Sequence, residues 1–307
     1  MGNILLRACA LITILIIGII MHMTGFLGDE AGGIVKKILM YLTLPCAIIT
    51  NFSKVDALDA SMIILILMGI GANGAMILIG AFLTRNQEKD QKALYMNCLP
   101  AYNIGAFCLP YIQNFMPAMA SVTACLFDAG NSLMCTGGTY SIVAEYLSED
   151  KGGFKIRVFL KRLLSSMPLI TYLVMIILSL LHIKLPQAVV TFVSPAAEAN
   201  PFIAMFMLGL LFRMETNKSY LASIVKILGT RHLFNIAFAL FCYYILPFDL
   251  IVRQGLVLVC FGPMSAVAPL FTELCGGNEG LASAANSISI ILSVIEITLL
   301  IMFMGIY

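Results

Sequence analysis

The chain has no tryptophan, only three histidines, and charges on just 11% of its 307 residues. Soluble domains carry about 25% charged residues, so a shortage of this size excludes an ordinary water-soluble protein. The histidines His22, His182 and His232 are far apart and lie near the ends of apolar segments, which argues against a zinc site. The nine cysteines contain no CxxC pair and no Cys/His ligand spacing, and their number is odd. They read as small packing residues, with no metal and no cofactor expected. Nor is there a GxGD, HExxH or Ser/His pairing at one depth, so an intramembrane enzyme is not expected. MGNILLR has no Ser or Thr at position six, which speaks against myristoylation, and the apolar run after Arg7 has no cleavage site and reads as a first span.

What remains is apolar: 61% of the residues are hydrophobic and the mean hydropathy is +0.99. Apolar runs separated by short polar joints place spans at 7–25, 34–52, 61–83, 93–113, 118–146, 165–183, 187–212, 226–247, 251–274 and 280–304. The reading is an all-α polytopic membrane protein of ten transmembrane helices. Of its eighteen Lys and Arg, all but Arg7, Lys54, Lys184 and Arg253 are assigned to one side. The positive-inside rule makes that side cytoplasmic and puts both termini outside, with the basic connector at 147–164 in the cytoplasm. Five spans precede the connector and five follow, so the halves form two inverted repeats.

Two spans, the fourth and the ninth, carry helix breakers. Tyr95–Pro110 (YMNCLPAYNIGAFCLP) holds Pro100, Asn103, Gly105 and Pro110, and Cys260–Leu270 (CFGPMSAVAPL) holds Pro263, Ser265 and Pro269. Proline removes a backbone donor and clashes with the preceding turn, and in lipid the freed groups need protein or a water-lined cavity. One such span alone reads equally as a kinked helix. Two in corresponding positions point to a transporter binding site where half-helix ends meet. The following spans also match, with Asp128-Ala-Gly-Asn131-Ser132 in one and Ala284-Ala285-Asn286-Ser287 in the other.

Intramembrane ionisable groups default to functional hypotheses. Asp128, Asn131 and Cys135 share one helical face, expected to look at the first break; a capping or solvated aspartate is the competing reading. Asn286, Ser289, Ser293 and Glu296 make a similar stripe, for which interhelical hydrogen bonding competes. Glu198 lies with Asn200 between Pro195 and Pro201, where a kinked scaffold helix competes with a substrate-facing surface. Asn51 and Asn73 either line a pore or are buried, satisfied amides. No lysine or arginine is expected deep in any span. A carboxylate would then be held by half-helix amides with Asn103, Asn131 and Ser265.

The run Asn103-Ile-Gly-Ala-Phe-Cys-Leu-Pro110 resembles the GNxGFxGxP segment of the auxin efflux carrier family, bacterial relatives of the PIN-type carriers. Asp128-x-x-Asn131 resembles that family's next helix. Pro263 to Pro269 with Gly276-Gly277-Asn278 resembles its second crossover, and Leu44-Pro45 its second helix. Tyr102 departs from the glycine usual before the asparagine, and Ala106 from the usual Phe.

The resemblance implies two inverted five-helix repeats with a crossover of broken helices 4 and 9, as in NhaA and the bile-acid symporters. It divides the chain into scaffold helices 1–2 (1–57), transport helices 3–5 (58–147), a cytoplasmic connector (148–164), scaffold helices 6–7 (165–218) and transport helices 8–10 (219–307). It further implies a homodimer in the cytoplasmic membrane that moves a small organic anion by an elevator motion and binds no nucleic acid. The expected substrate-binding residues are Asn103, Gly105, Pro110, Asn131, Pro263, Ser265 and Asn51. Asp128, Asn286 and Glu198 are expected to couple transport to a proton or a sodium ion. A sodium-coupled symporter of the bile-acid type and a channel are the alternatives.

Overall fold

A computed structural model describes residues 2–55, 58, 60–148, 163–213 and 218–305. The basic connector expected at 147–164 lies outside them except at its ends. The first helices are α1 (Gly2–Met23), α2 (Ala31–Ile38) and α3 (Leu44–Ser53), with α2 and α3 joined by a wide π turn at Leu39–Thr43. Next come α4 (Ile64–Leu83), α5 (Lys89–Cys98), a π turn at Ile104–Cys108 and α6 (Leu109–Phe115). Then follow α7 (Ala118–Leu133), a π turn at Met134–Gly138, α8 (Thr139–Leu147), α9 (Met167–Leu180) and α10 (Gln187–Leu210). The last are α11 (Leu221–Tyr244), α12 (Leu250–Cys260), α13 (Ala268–Leu274) and α14 (Glu279–Phe303).

The protein is all-α, but the ten-span inverted repeat is not what the structure supports. Among the described residues six segments are long and apolar enough to cross a bilayer, as in an integral multi-pass membrane protein: Leu6–Met23, Ala31–Ser53, Ser61–Leu83, Gln187–Leu210, Leu221–Tyr244 and Glu279–Phe303. The other four expected spans are cut short. At a rise of about 1.5 Å per residue, the 14 residues of α9, the 11 of α12 and the 10 of α5 fall well below a hydrocarbon core of about 30 Å. The fifth expected span divides into α7 and α8 at Gly137, whose φ of 156° is closed to other residues. Hydropathy averaged over a span does not register where a helix stops, and buried apolar half-helices count as lipid-facing ones.

Glycine sets two of the helix contacts. A Cβ on Gly130 of α7 would lie 2.0 Å from the Ile66 carbonyl oxygen of α4, and one on Gly209 of α10 would lie 2.2 Å from that of Leu15 in α1. The backbones touch directly there, as small residues allow between membrane helices. The α4–α7 contact fixes Asp128 and Asn131, one turn along α7, against the centre of the molecule.

The π turn at Leu39–Thr43 leads straight into Pro45, and that at Ile104–Cys108 into Pro110. Widening the turn relieves the clash and the lost hydrogen bond that a proline imposes. Pro110 therefore sits in the first turn of α6 without stopping the chain. The real interruption precedes it, at Leu99–Asn103, where Pro100 follows the end of α5.

Candidate functional site

The interruption at Leu99–Asn103 lies beside the one at Phe261–Val267. They pair as a short antiparallel bridge at Tyr102 and Met264, in which the Asn103 amide donates to the Pro263 carbonyl (2.9 Å) and the Ser265 amide to that of Ala101 (3.2 Å). Ala101 is left-handed, at φ 64°, an arrangement that costs a non-glycine residue about 1–2 kcal/mol. Its amide is held by Asn73 Oδ1, and the Met264 amide donates to Ser289 Oγ at 3.0 Å.

The carbonyls go to a residue not expected here. Arg231 of α11, 1% exposed, is wedged between the two interruptions. Its guanidinium donates to the carbonyls of Leu99, Pro100 (3.3 Å), Ala101 (3.1 Å), Gly262 (3.2 Å) and Pro263 (3.3 Å). It also stacks over the Tyr102 ring, 4.5 Å from the centroid, a contact worth about 2 kcal/mol when desolvated. The expectation that no arginine lies deep is thus corrected, and Arg231 leaves the cytoplasmic charge count. In sequence it stands beside His232 near the start of the span expected at 226–247, where it counts with the cytoplasmic charges.

Asn131 braces the first interruption from α7. Its Oδ1 accepts from the Tyr102 amide (3.0 Å) and from Asn73 Nδ2 (3.2 Å), while its Nδ2 donates to the Tyr102 carbonyl and to Asp128 Oδ1, both at 2.8 Å. Asp128, 5% exposed, also accepts from the Tyr172 hydroxyl at 2.7 Å, and its Oδ2 lies so close to Gly105 that a Cβ there would come within 3.4 Å of it. The amide end of the half-helix that starts at Ile104 therefore already faces a carboxylate. It is not a vacant anion seat.

A cavity of about 720 Å³ opens against this assembly, within the usual range for ligand sites. One wall is α2–α3, with Lys36, Leu39 and Leu44; another is the paired interruptions, with Asn103, Gly105 and Ser265. Asp128, Asn131 and Cys135 close it from α7 and its turn, and Leu270 and Phe271 from α13. Asn103 and Lys36, both half-buried, stand out: among the described residues neither side chain has a hydrogen-bond or ion-pair partner. Both are donors. Lys36 is not among the residues expected on this wall.

Of the expected residues, Asn103, Gly105, Asn131, Ser265 and Asp128 are brought together on this cavity. Pro263 sits behind it, in the second interruption. Pro110 is buried in α6 and contributes only its carbonyl, to Asn114. Asn51, Asn286 and Glu198 do not line the cavity. Asn51 is buried in α3 with its Nδ2 unpaired, Asn286 has a buried Oδ1 without a partner, and Glu198 is exposed on α10. Asn200, beside it, faces inward instead and accepts from Thr43 at 3.1 Å. Asn73 proves to be the satisfied amide, and Glu296 pairs with His232 at 2.8 Å.

Lys36, Arg231 and Tyr172 escaped the sequence reading. Lys36 stands next to Lys37 at the start of the span expected at 34–52 and counts with the cytoplasmic charges. Nothing in the local pattern marks Arg231 or Tyr172. All nine cysteines are free, and among the described residues no group of three His, Cys, Asp or Glu side chains could hold a metal. No protein-family model matches the sequence, and no curated protein does.

Proposed function

We propose that the chain is a carrier of an organic anion, acting by alternating access across the cytoplasmic membrane. The reading rests on one observation. On the cavity wall, and among the described residues, the Lys36 ammonium and the Asn103 amide have no hydrogen-bond or ion-pair partner, and each can donate to an acceptor. A carboxylate satisfies both at once, and charge-assisted hydrogen bonds are the stronger kind. The apolar remainder of the wall, Leu39, Leu44, Leu270 and Phe271 among it, accommodates the body of the solute. The resemblance to the auxin efflux carriers agrees with an anionic cargo, and the excess of basic joints agrees with both termini lying outside.

Asp128 is the coupling group in this reading. It is the carboxylate on the cavity wall, and its charge opposes that of an arriving anion. A proton taken up there with the solute would keep the site neutral. The test is uptake into proteoliposomes. A screen of carboxylates by thermal shift finds ligands, since a solute bound only to the folded state raises its apparent stability. Those ligands should then show saturable uptake with counterflow. Non-saturable flux would point to a channel and reject the carrier. Asp128→Asn should leave the protein folded and abolish the dependence of uptake on a pH gradient. Unchanged gradient dependence would take Asp128 out of the mechanism.

A further inference from the structure

We propose that the paired interruptions carry a built-in cation, the Arg231 guanidinium, where a bound sodium ion would otherwise be needed, so that folding and solute binding require no alkali ion. The starting point is electrostatic. α5 ends at Cys98 and α12 at Cys260, and both present their carbonyl ends to the same point. Helix C-termini are the negative poles of their dipoles. In discontinuous transporter helices such ends, with unwound carbonyls nearby, are where sodium ions or protons are coordinated. Here five carbonyls converge, from Leu99, Pro100, Ala101, Gly262 and Pro263. That many oxygens would suit a hard cation.

The guanidinium already fills the position. It takes carbonyls from both interruptions, with the negative face of the Tyr102 ring on its flank. The titratable groups that face it from the elements around it are Tyr102, Cys98, Cys108 and Cys135, with His232 next to it on its own helix. Among the described residues it has no carboxylate partner; the ion pair nearby is between His232 and Glu296. Its charge, among the described residues, is therefore met by peptide carbonyls and the Tyr102 ring, with no carboxylate, as a bound metal ion's would be. Arginine also keeps its proton in proteins, so the position stays cationic at every physiological pH. The same residue bonds both interruptions and ties them to α11. This separates the chain from sodium-coupled carriers on physical grounds and leaves Asp128 as the remaining place for a coupling ion.

The test reads stability and does not depend on transport. Purified protein is melted in sodium chloride and in choline chloride of equal ionic strength. The wild type should melt at the same temperature in both. Arg231→Met empties the carbonyl cage and should lower the melting temperature by more than about 5 °C, with part of the loss restored by sodium or lithium and none by choline. Arg231→Lys keeps a cation and should remain indifferent to sodium. A wild-type or lysine-variant melting temperature that rises in sodium overturns the proposal. So does an Arg231→Met protein that melts like the wild type in choline, or one that folds and does not respond to sodium. If the methionine variant does not fold, the wild type and the lysine variant decide.

Discussion

Asn131→Ala is expected to cost the protein more stability than any other replacement on the cavity wall. Four hydrogen bonds end on this amide, from or to the Tyr102 amide, the Tyr102 carbonyl, Asn73 and Asp128. Alanine leaves the Tyr102 N–H without its partner and reduces its carbonyl to the 3.8 Å contact with Cys135 Sγ. Each buried polar group left unsatisfied costs about 1–3 kcal/mol, so the total is on the order of 3–6 kcal/mol against a typical stability of about 5–15. The expected result is a fall of more than about 10 °C in melting temperature, with most of the expressed protein aggregated on size-exclusion chromatography. Asn114→Ala provides the comparison, since that amide bonds only the Pro110 carbonyl; it should be close to neutral. An Asn131→Ala protein that melts with the wild type would mean that the interruption is held by something other than α7.

Lys36→Gln should have the largest effect on ligand affinity. Lys36 lines the cavity and, among the described residues, has no counter-charge of its own, and a hydrogen bond to a charged partner contributes about 1.5–3 kcal/mol. At about 1.4 kcal/mol for each factor of ten, glutamine should weaken carboxylate binding by roughly ten- to a hundredfold. Lys36→Arg keeps the charge and should stay within a few-fold. Asn103→Ala removes a neutral donor and should cost about tenfold or less. Lys37→Gln, on an exposed neighbour, should change nothing. Calorimetric titration with a carboxylate found in the thermal-shift screen reads all four. Equal affinities for wild type and Lys36→Gln would move the anion away from α2.

Much of the site could be read from residue types that are costly in a bilayer. Pro100 and Pro263 announce interruptions because the backbone groups they free must be met by protein, and both interruptions lie in the centre. Asp128 and Asn131, three residues apart on α7, announce a polar face. What could not be read was the direction of long, flexible side chains. Lys36 and Arg231 sit in stretches that look like membrane edges, and only packing decides that one turns into a cavity and the other into the core. Nor did hydropathy reveal how many segments span. α12 is apolar because protein covers most of it, and an average over some twenty residues treats that covering as lipid. α9, by contrast, leaves Leu173, Val174 and Ile177 exposed and is simply short. Pro110, the most conspicuous breaker, turned out to be absorbed by a wide turn.

The bridge between Tyr102 and Met264 also constrains any motion. Two strands of backbone sewn together at their midpoints, with a shared guanidinium through both, behave as one mechanical part. If the protein acts as the proposed carrier, the rearrangement that opens the cavity first to one face of the bilayer and then to the other has to carry this knot intact. The pivots must therefore be sought outside residues 99–103 and 261–267, along the seam where the knot's wall faces Lys36, Leu39 and Leu44.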